Sequence, residues 1–331
     1  MIVGKPAVSV VIPAFNCADY VGNAIDSVLA QTYSGPIEII VVDDGSTDGI
    51  DTALQPYRSR IHIVKQRNRG IGGARNSGIK LATGKYVAFL DADDYWLPRR
   101  LAKMVAVGEW FPDSLIITDL KILNMRDGQL SREGYCVSQG LLPLFSMSAR
   151  DQYANLLQGN FLNYMMMLPR RFLTRVGEFD ETLRAAEDWD FQLRCLQRGM
   201  SVRLVPETLG VYRRFRPGAT TTQRNANMVD SLVTVLSKHR SRISKRRWQL
   251  AVGERDKVRL RVALEQKRHL SAFVHGIRLA ANGTFLKQYI AQRLLASPIV
   301  NGGQSHGPDA LQTRRQWTGQ LQSSRAHKRA S

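Results

Sequence analysis

Short apolar runs recur along the first part of the chain, each broken by polar residues and followed by apolar positions at helical spacing. Val8-Ser-Val-Val-Ile12 precedes Ala24, Ile25, Val28 and Leu29, with Asp19 as the expected helix cap. Ile37-Glu-Ile-Ile-Val-Val42 precedes Ile50, Ala53 and Leu54, with Thr47 or Asp48 as the expected cap. Ile61-His-Ile-Val64 leads into an Arg/Gly-rich loop over Arg67–Gly73, then a helix over Ala74–Ala82 closed by Gly84. A fourth run, Tyr86–Leu90, follows. This alternation predicts an α/β domain built on a mostly parallel sheet with right-handed crossovers.

Ligands of open α/β sheets bind beyond the carboxyl ends of the strands, so the residues that end each run carry the interest. The first run stops at Pro13-Ala-Phe-Asn16, the second at Asp43-Asp-Gly-Ser-Thr-Asp48, the fourth at Asp91-Ala-Asp-Asp94. Carboxylates crowded at a buried strand end repel one another and lose solvation, so they call for a counter-charge. A divalent metal carrying a phosphorylated ligand supplies one. A solvated acidic turn is the plain alternative for any one motif. The convergence of three strand ends on one rim favours a site. Asp94 is equally suited to capping the next turn, and Asp43 to capping the next helix.

Composition narrows the class. Of 331 residues, 44% are hydrophobic and 23% charged, which describes a globular protein, and no run approaches the length of a membrane span. The N-terminus, Met1-Ile-Val-Gly-Lys5-Pro6, shows neither a charged leader nor an apolar one. Cys17, Cys136 and Cys195 lack zinc-ligand spacing and read as reduced thiols, so a cytoplasmic location is expected. The charge of +19 is uneven: from Arg224 onward 21 lysines and arginines face 5 acids, leaving 26 against 23 before it. With Pro217-Gly-Ala-Thr-Thr-Thr222 breaking the pattern, this predicts a catalytic domain over 1–223 and a basic α-helical appendage over 224–297. Met228, Leu232, Val235 and Leu236 form the appendage's first apolar stripe. Pro298–Ser331, rich in Gly, Gln, Ser and Arg, reads as a mostly disordered tail.

Val8-Ser-Val-Val-Ile-Pro-Ala-Phe-Asn16, Val42-Asp-Asp-Gly-Ser-Thr-Asp48, Gly73-Ala-Arg-Asn-Ser-Gly78, Phe89-Leu-Asp-Ala-Asp-Asp94 and Glu187-Asp188 follow one another in order. That succession resembles the family 2 glycosyltransferases, over roughly residues 6–215. The resemblance implies a GT-A fold and an inverting transfer from a nucleotide sugar. It implies that Asp93 binds Mg²⁺ or Mn²⁺ directly, with Asp91 between the metal and the ribose. It implies a nucleotide pocket in which Pro13, Ala14 and Phe15 offer backbone and apolar surface to the base. There Asp44 accepts a hydrogen bond from a uracil N–H, which points to a UDP-sugar donor. Arg75 lies near the diphosphate, in contact with it or bracing Asp91 through a salt bridge. The second acid of the paired-acid motif aligns with Asp188, the implied general base for the acceptor hydroxyl. Beside it, Trp189 either stacks on an acceptor sugar or packs.

Other chemistries fit poorly. Only His62 of the six histidines lies in the catalytic part, and that part holds no HExxH, GxSxG or Cys–His pairing. Gly70-Ile-Gly72-Gly-Ala-Arg75 lacks the third glycine of a dinucleotide loop and follows the wrong strand. A sugar-nucleotide pyrophosphorylase shares the metal-and-phosphate logic but needs a glycine-rich loop where Pro13–Asn16 stands. A nucleic-acid-binding protein is suggested only by the basic appendage, whose aromatics Trp248, Phe273, Phe285 and Tyr289 are sparse. The Gln-x-x-Arg-Trp motif of processive synthases has no counterpart in Ser244-Lys-Arg-Arg-Trp248, so transfer of a single sugar is expected. The expected acceptor is a saccharide or lipid-linked saccharide in surface polysaccharide or glycolipid assembly, selected by Met125–Asn160. The appendage is expected to hold the protein at the anionic inner face of the plasma membrane.

Overall fold

The structure, a computed structural model, describes residues 5–215 and 224–295. The tail after Pro298 and the Pro217–Thr222 break lie outside them. The chain begins with β1 (Val8–Ala14), α1 (Ala18–Leu29), β2 (Ile37–Asp43), α2 (Ile50–Leu54), β3 (His62–Lys65), α3 (Gly70–Leu81) and β4 (Tyr86–Phe89). It continues with β5 (Tyr95–Trp96), α4 (Arg100–Trp110), β6 (Ser114–Asn124), α5 (Tyr135–Ser138), α6 (Ala149–Leu156), β7 (Met166–Pro169), α7 (Leu173–Val176), α8 (Glu187–Gln197) and β8 (Ser201–Arg214). Four further helices follow: α9 (Arg224–Lys238), α10 (Lys245–Glu265), α11 (His269–Ala281) and α12 (Gly283–Leu295).

All eight strands form one sheet in the order β3-β2-β1-β4-β7-β6-β8-β5. The β3-β2-β1-β4 half is wholly parallel, as the alternation predicts. The other half is mixed, because β7 runs antiparallel to both neighbours and β5 antiparallel to β8, while β6 and β8 run parallel. Every residue of β1 is buried, as befits a strand covered on both faces. Gly78 lets α3 approach that strand, since a Cβ there would stand 2.3 Å from Val11 Cγ1.

Three helix starts differ from expectation: α2 begins after Gly49 without a cap from Thr47 or Asp48, and the other two differ for one reason. Helix α1 begins at Ala18 without a cap from Asp19; Asp48, from the loop after β2, accepts the Ala18 N–H at 2.7 Å. Helix α3 begins at Gly70, so most of the glycine-rich loop is helical. Its first turn is capped by Asp44, which accepts the N–H groups of Arg69 and Gly70, both at 2.8 Å. Caps supplied from another strand end are invisible to a reading that looks for them next to each helix. Met125–Asn160 is less irregular than expected, with a tight turn bridged between Leu123 and Leu130, then α5, a 3-10 turn over Leu142–Ser146, and α6.

The chain divides into two compact units, Met1–Val235 and Leu236–Ser331, so the division falls inside α9 rather than before it. In α9, Val235 and Leu236 are fully buried, so the apolar stripe serves packing over that stretch. The second unit is held by α10, α11 and α12. Phe285 packs against Gly253, where a Cβ would lie 2.2 Å from the ring, and Asn282 Nδ2 donates to the Gln249 carbonyl at 2.6 Å. Among the described residues no helix is long and apolar enough to cross a membrane.

Candidate active site

The ends of β1 and β2 are stapled to each other. Asn16, in the left-handed region at φ 47°, donates its N–H to Ser46 Oγ at 3.0 Å, and its Oδ1 accepts the Thr47 N–H at 2.8 Å. Asp43 Oδ1 accepts the Ser46 N–H at 2.9 Å and so caps a tight turn. It does not cap α2, which starts after Gly49 without a side-chain cap. Besides its two backbone donors, Asp44 accepts Gln66 Nε2 at 2.7 Å, and it is almost fully buried. A carboxylate offers about four lone-pair sites, so three of those on Asp44 hold the loop after β3. Pro13 and Ala14 are buried within β1, and their carbonyls accept the N–H groups of Ala92 and Asp44. Phe15 is the residue of that trio with surface to offer, at 39% exposure.

The end of β4 is organised differently. Asp91, Asp93 and Asp94 bring carboxylate oxygens within 4.8 Å of one another. Asp91 Oδ1 accepts Arg75 Nη2 at 2.8 Å, and the other amino group of Arg75 donates to Glu187 Oε1 at 2.6 Å. The expected ion pair between Arg75 and Asp91 is thus present, and it extends to α8. Arg75 is buried, with its guanidinium 5.4 Å from the Phe179 ring and 5.8 Å from the Tyr164 ring. Arg75 leaves the cluster short of positive charge. Burial pushes the Asp91 carboxyl up to about 6; Arg75 pulls against that, and Asp93 pushes it further up. Burial and the Asp93 charge also raise Asp94. Asp94 does not cap the following turn. Its oxygens accept the Tyr164 hydroxyl and, at 2.7 Å, the Arg213 N–H.

Asp188 lies in the first turn of α8, one residue after the Glu187 that Arg75 holds. Its Oδ1 accepts the Trp189 N–H at 2.8 Å, and its charge acts on Arg75 together with those of Asp91 and Glu187. Helix α8 is entered through Ala186 at φ 59°, a conformation that costs an alanine about 1–3 kcal/mol and collects at functional sites. Trp189 is buried, and its Nε1 donates to the Leu156 carbonyl at 2.9 Å. It therefore packs, and has no face for a sugar.

Two residues at this rim, Tyr164 and Arg213, are absent from the sequence motifs, and a third, Glu187, stands in the paired-acid motif without a role. Glu187 is the second anchor of Arg75. Tyr164 holds Asp94. Arg213, at the end of β8, donates to the Asp93 carbonyl at 3.0 Å and to Asn23 Oδ1 at 2.6 Å, with its guanidinium 4.7 Å from the Tyr95 ring. Both distant residues lie far along the chain from Asp94, and no local pattern marks them. Glu187 had a signal, since a second acid opens the same helical turn.

Hard carboxylate oxygens, a net negative field and a raised Asp91 suit a divalent cation of the Mg²⁺ or Mn²⁺ kind. Comparison with known proteins gives the rim a context. Residues 9–171 match the model of the family described as Glycosyl transferase family 2. The chain is 32% identical over 235 residues to the succinoglycan biosynthesis protein ExoO of Rhizobium meliloti, covering 69% of this chain and 66% of that one. The matched stretches span from 32% to 66% of the lengths of the first curated relatives. Among solved structures, residues 1–349 of S. aureus TarS in complex with UDP-GlcNAc superpose with a TM-score of 0.60 at 18% identity, over 92% of this chain and 100% of that one. The mannosyltransferase PcManGT of Pyrobaculum calidifontis, in complex with GDP-Man and Mn²⁺, superposes with a TM-score of 0.52 at 18% identity, over 89% of each chain. These likenesses establish a GT-A-like fold.

Proposed function

Because the chain belongs to glycosyl transferase family 2, we propose that it moves one sugar from a UDP-sugar to an acceptor hydroxyl, with inversion at the anomeric carbon. The observation that carries this reading is the carboxylate cluster at the end of β4, joined through Arg75 to the first turn of α8. Asp91 and Asp93 would hold a divalent cation, which when bound neutralises charge on the leaving diphosphate. Arg75 keeps Asp91 oriented for that task and fixes the start of α8 beside it.

Asp188 acts as general base. A hydroxyl ionises too weakly at neutral pH to attack unaided, so its proton passes to the Asp188 carboxylate as the oxygen attacks the anomeric carbon. The bond from that carbon to the diphosphate oxygen breaks on the opposite face, UDP leaves, and the new glycosidic bond is inverted. Phe15 offers apolar surface to the base. Asp44 keeps one lone-pair site beyond its loop bonds, enough to accept a uracil N–H. The UDP-GlcNAc complex of TarS supports a uridine donor.

We extend the proposal to the acceptor, a saccharide or lipid-linked saccharide in surface-polysaccharide assembly, as the succinoglycan relative suggests. The protein then works on the cytoplasmic side, where nucleotide sugars are expected and where its three buried thiols stay free. The test is nucleotide release from UDP-, GDP- and CDP-sugars, with Mn²⁺ and then with excess EDTA. Release from a UDP-sugar that EDTA abolishes is expected. Equal release from all donors, or release indifferent to EDTA, overturns the reading.

A further inference from the structure

Helix α11 is oriented against the usual rule for a surface helix. Its buried residues, Ala272 and His275, are a small and a polar one, and His275 Nδ1 lies 3.2 Å from the buried Asp256 of α10. Four of its five large apolar residues face the other way, while Leu279 is half-buried on the inner side. Leu270 is 79% exposed, Phe273 65% and Ile277 54%, and Val274 is exposed as well. At about 100° per residue, these four and Ala281 fall within an arc of about 100°. A packed helix turns such an arc inward. Here it faces solvent and continues from Leu264, also exposed, at the end of α10.

Charge around the α11 arc is of one sign, the exposed Glu265 lying before it at the end of α10. Lys267 and Arg268 stand exposed at the start of α11, and Arg278 adjoins the arc one turn beyond Val274. Between Leu236 and Tyr289 there are 14 lysines and arginines against 3 acids, and from Gln266 to Tyr289 no acid at all. An apolar arc of Leu, Phe, Val and Ile bordered by cations matches an anionic bilayer: acyl chains take the side chains and headgroups meet the charges. We propose that this face of α11 is a membrane-docking surface for anionic phospholipid. The partner follows from the chemistry of the helix alone and does not depend on the transferase reading. Within the appendage it singles out α11 rather than α9, whose stripe is packed over Val235 and Leu236.

The test uses the full chain. All three native cysteines are buried, so Phe273→Cys can be labelled selectively with an environment-sensitive dye. Vesicles of 30% phosphatidylglycerol in phosphatidylcholine should shift the dye emission to the blue, and pure phosphatidylcholine should not. In co-sedimentation, Phe273→Ser with Ile277→Ser should weaken binding to the anionic vesicles at least tenfold. Lys267→Glu with Arg268→Glu should do the same and flatten the salt dependence. The circular dichroism and thermal midpoint of both variants should match those of the unmutated chain, because every substituted side chain is exposed. Absence of vesicle binding by the unmutated chain overturns the proposal. So does binding that leaves the dye at position 273 in water. A concentration-dependent dimer that Phe273→Ser with Ile277→Ser dissolves would assign the face to a second copy instead.

Discussion

Two strand ends in this chain read almost alike and behave oppositely. Strand β2 ends in Asp43-Asp44 and β4 in Asp91-Ala-Asp93-Asp94, each an apolar run broken by carboxylates. At β2 the carboxylates receive backbone N–H groups, with Asp43 taking that of Ser46 and Asp44 those of Arg69 and Gly70. At β4 Asp94 receives the Arg213 N–H and the Tyr164 hydroxyl, but the three carboxylates crowd one another. One buried guanidinium is divided between Asp91 and Glu187, and both Asp91 and Asp94 are pushed up by burial and by Asp93. The first arrangement is nearly saturated, with one lone-pair site left on Asp44, and it builds loops. The second gathers more negative than positive charge, which is the basis of the proposed cation site. Donor balance, rather than the acidic motif, separates architecture from chemistry.

The largest effect that would break this comparison lies at Asp93. Asp93→Asn, or excess EDTA with the unmutated chain, should lower transfer by about 10³-fold or more, since the cation supplies several kcal/mol at the transition state. Asp44→Asn should lower it by only about tenfold, because the amide oxygen can keep two of the three loop bonds and the β4 carboxylates are untouched. Next comes Asp188→Asn, expected to cost about 10²–10⁴-fold in turnover. Calorimetry should show UDP affinity unchanged if Asp188 acts on the acceptor and not on the nucleotide. Joint loss of affinity and turnover would make Asp188 structural.

Stability sharpens the contrast further. Arg75→Met leaves Asp91 and Glu187 buried without their partner, and breaking such a pair costs about 3–5 kcal/mol. Denaturant unfolding should show that loss, with Mn²⁺ and UDP together restoring part of it. Asp44→Ala should cost about 1–3 kcal/mol, the penalty for leaving buried N–H groups unpaired. The damage should be local, so hydrogen exchange should quicken first at Arg69 and Gly70. Uniform acceleration across the sheet would show that Asp44 supports more than its loop.

Period and punctuation made the parallel half of the sheet legible, because strands buried on both faces are continuous apolar runs. The antiparallel half was not legible. Strand β5 is only Tyr95–Trp96, and β7 is the Met166–Pro169 stretch, which carries no alternation. The carboxylates of the site could be read because they end strands. Their supports could not, because Tyr164 and Arg213 reach Asp94 across 70 and 119 residues. Trp189 shows the converse limit: an aromatic beside a candidate base invites a stacking role, and only its burial against Leu156 decides.

The most direct test of the contrast is Mn²⁺ binding followed by electron paramagnetic resonance at saturating UDP, in the unmutated chain, Asp93→Asn and Asp44→Asn. The unmutated chain and Asp44→Asn should each bind one ion, and Asp93→Asn should leave the ion free. An Asp93→Asn variant that binds Mn²⁺ as the unmutated chain does, or an Asp44→Asn variant that loses it, would contradict the assignment of the charge-deficient site to the end of β4.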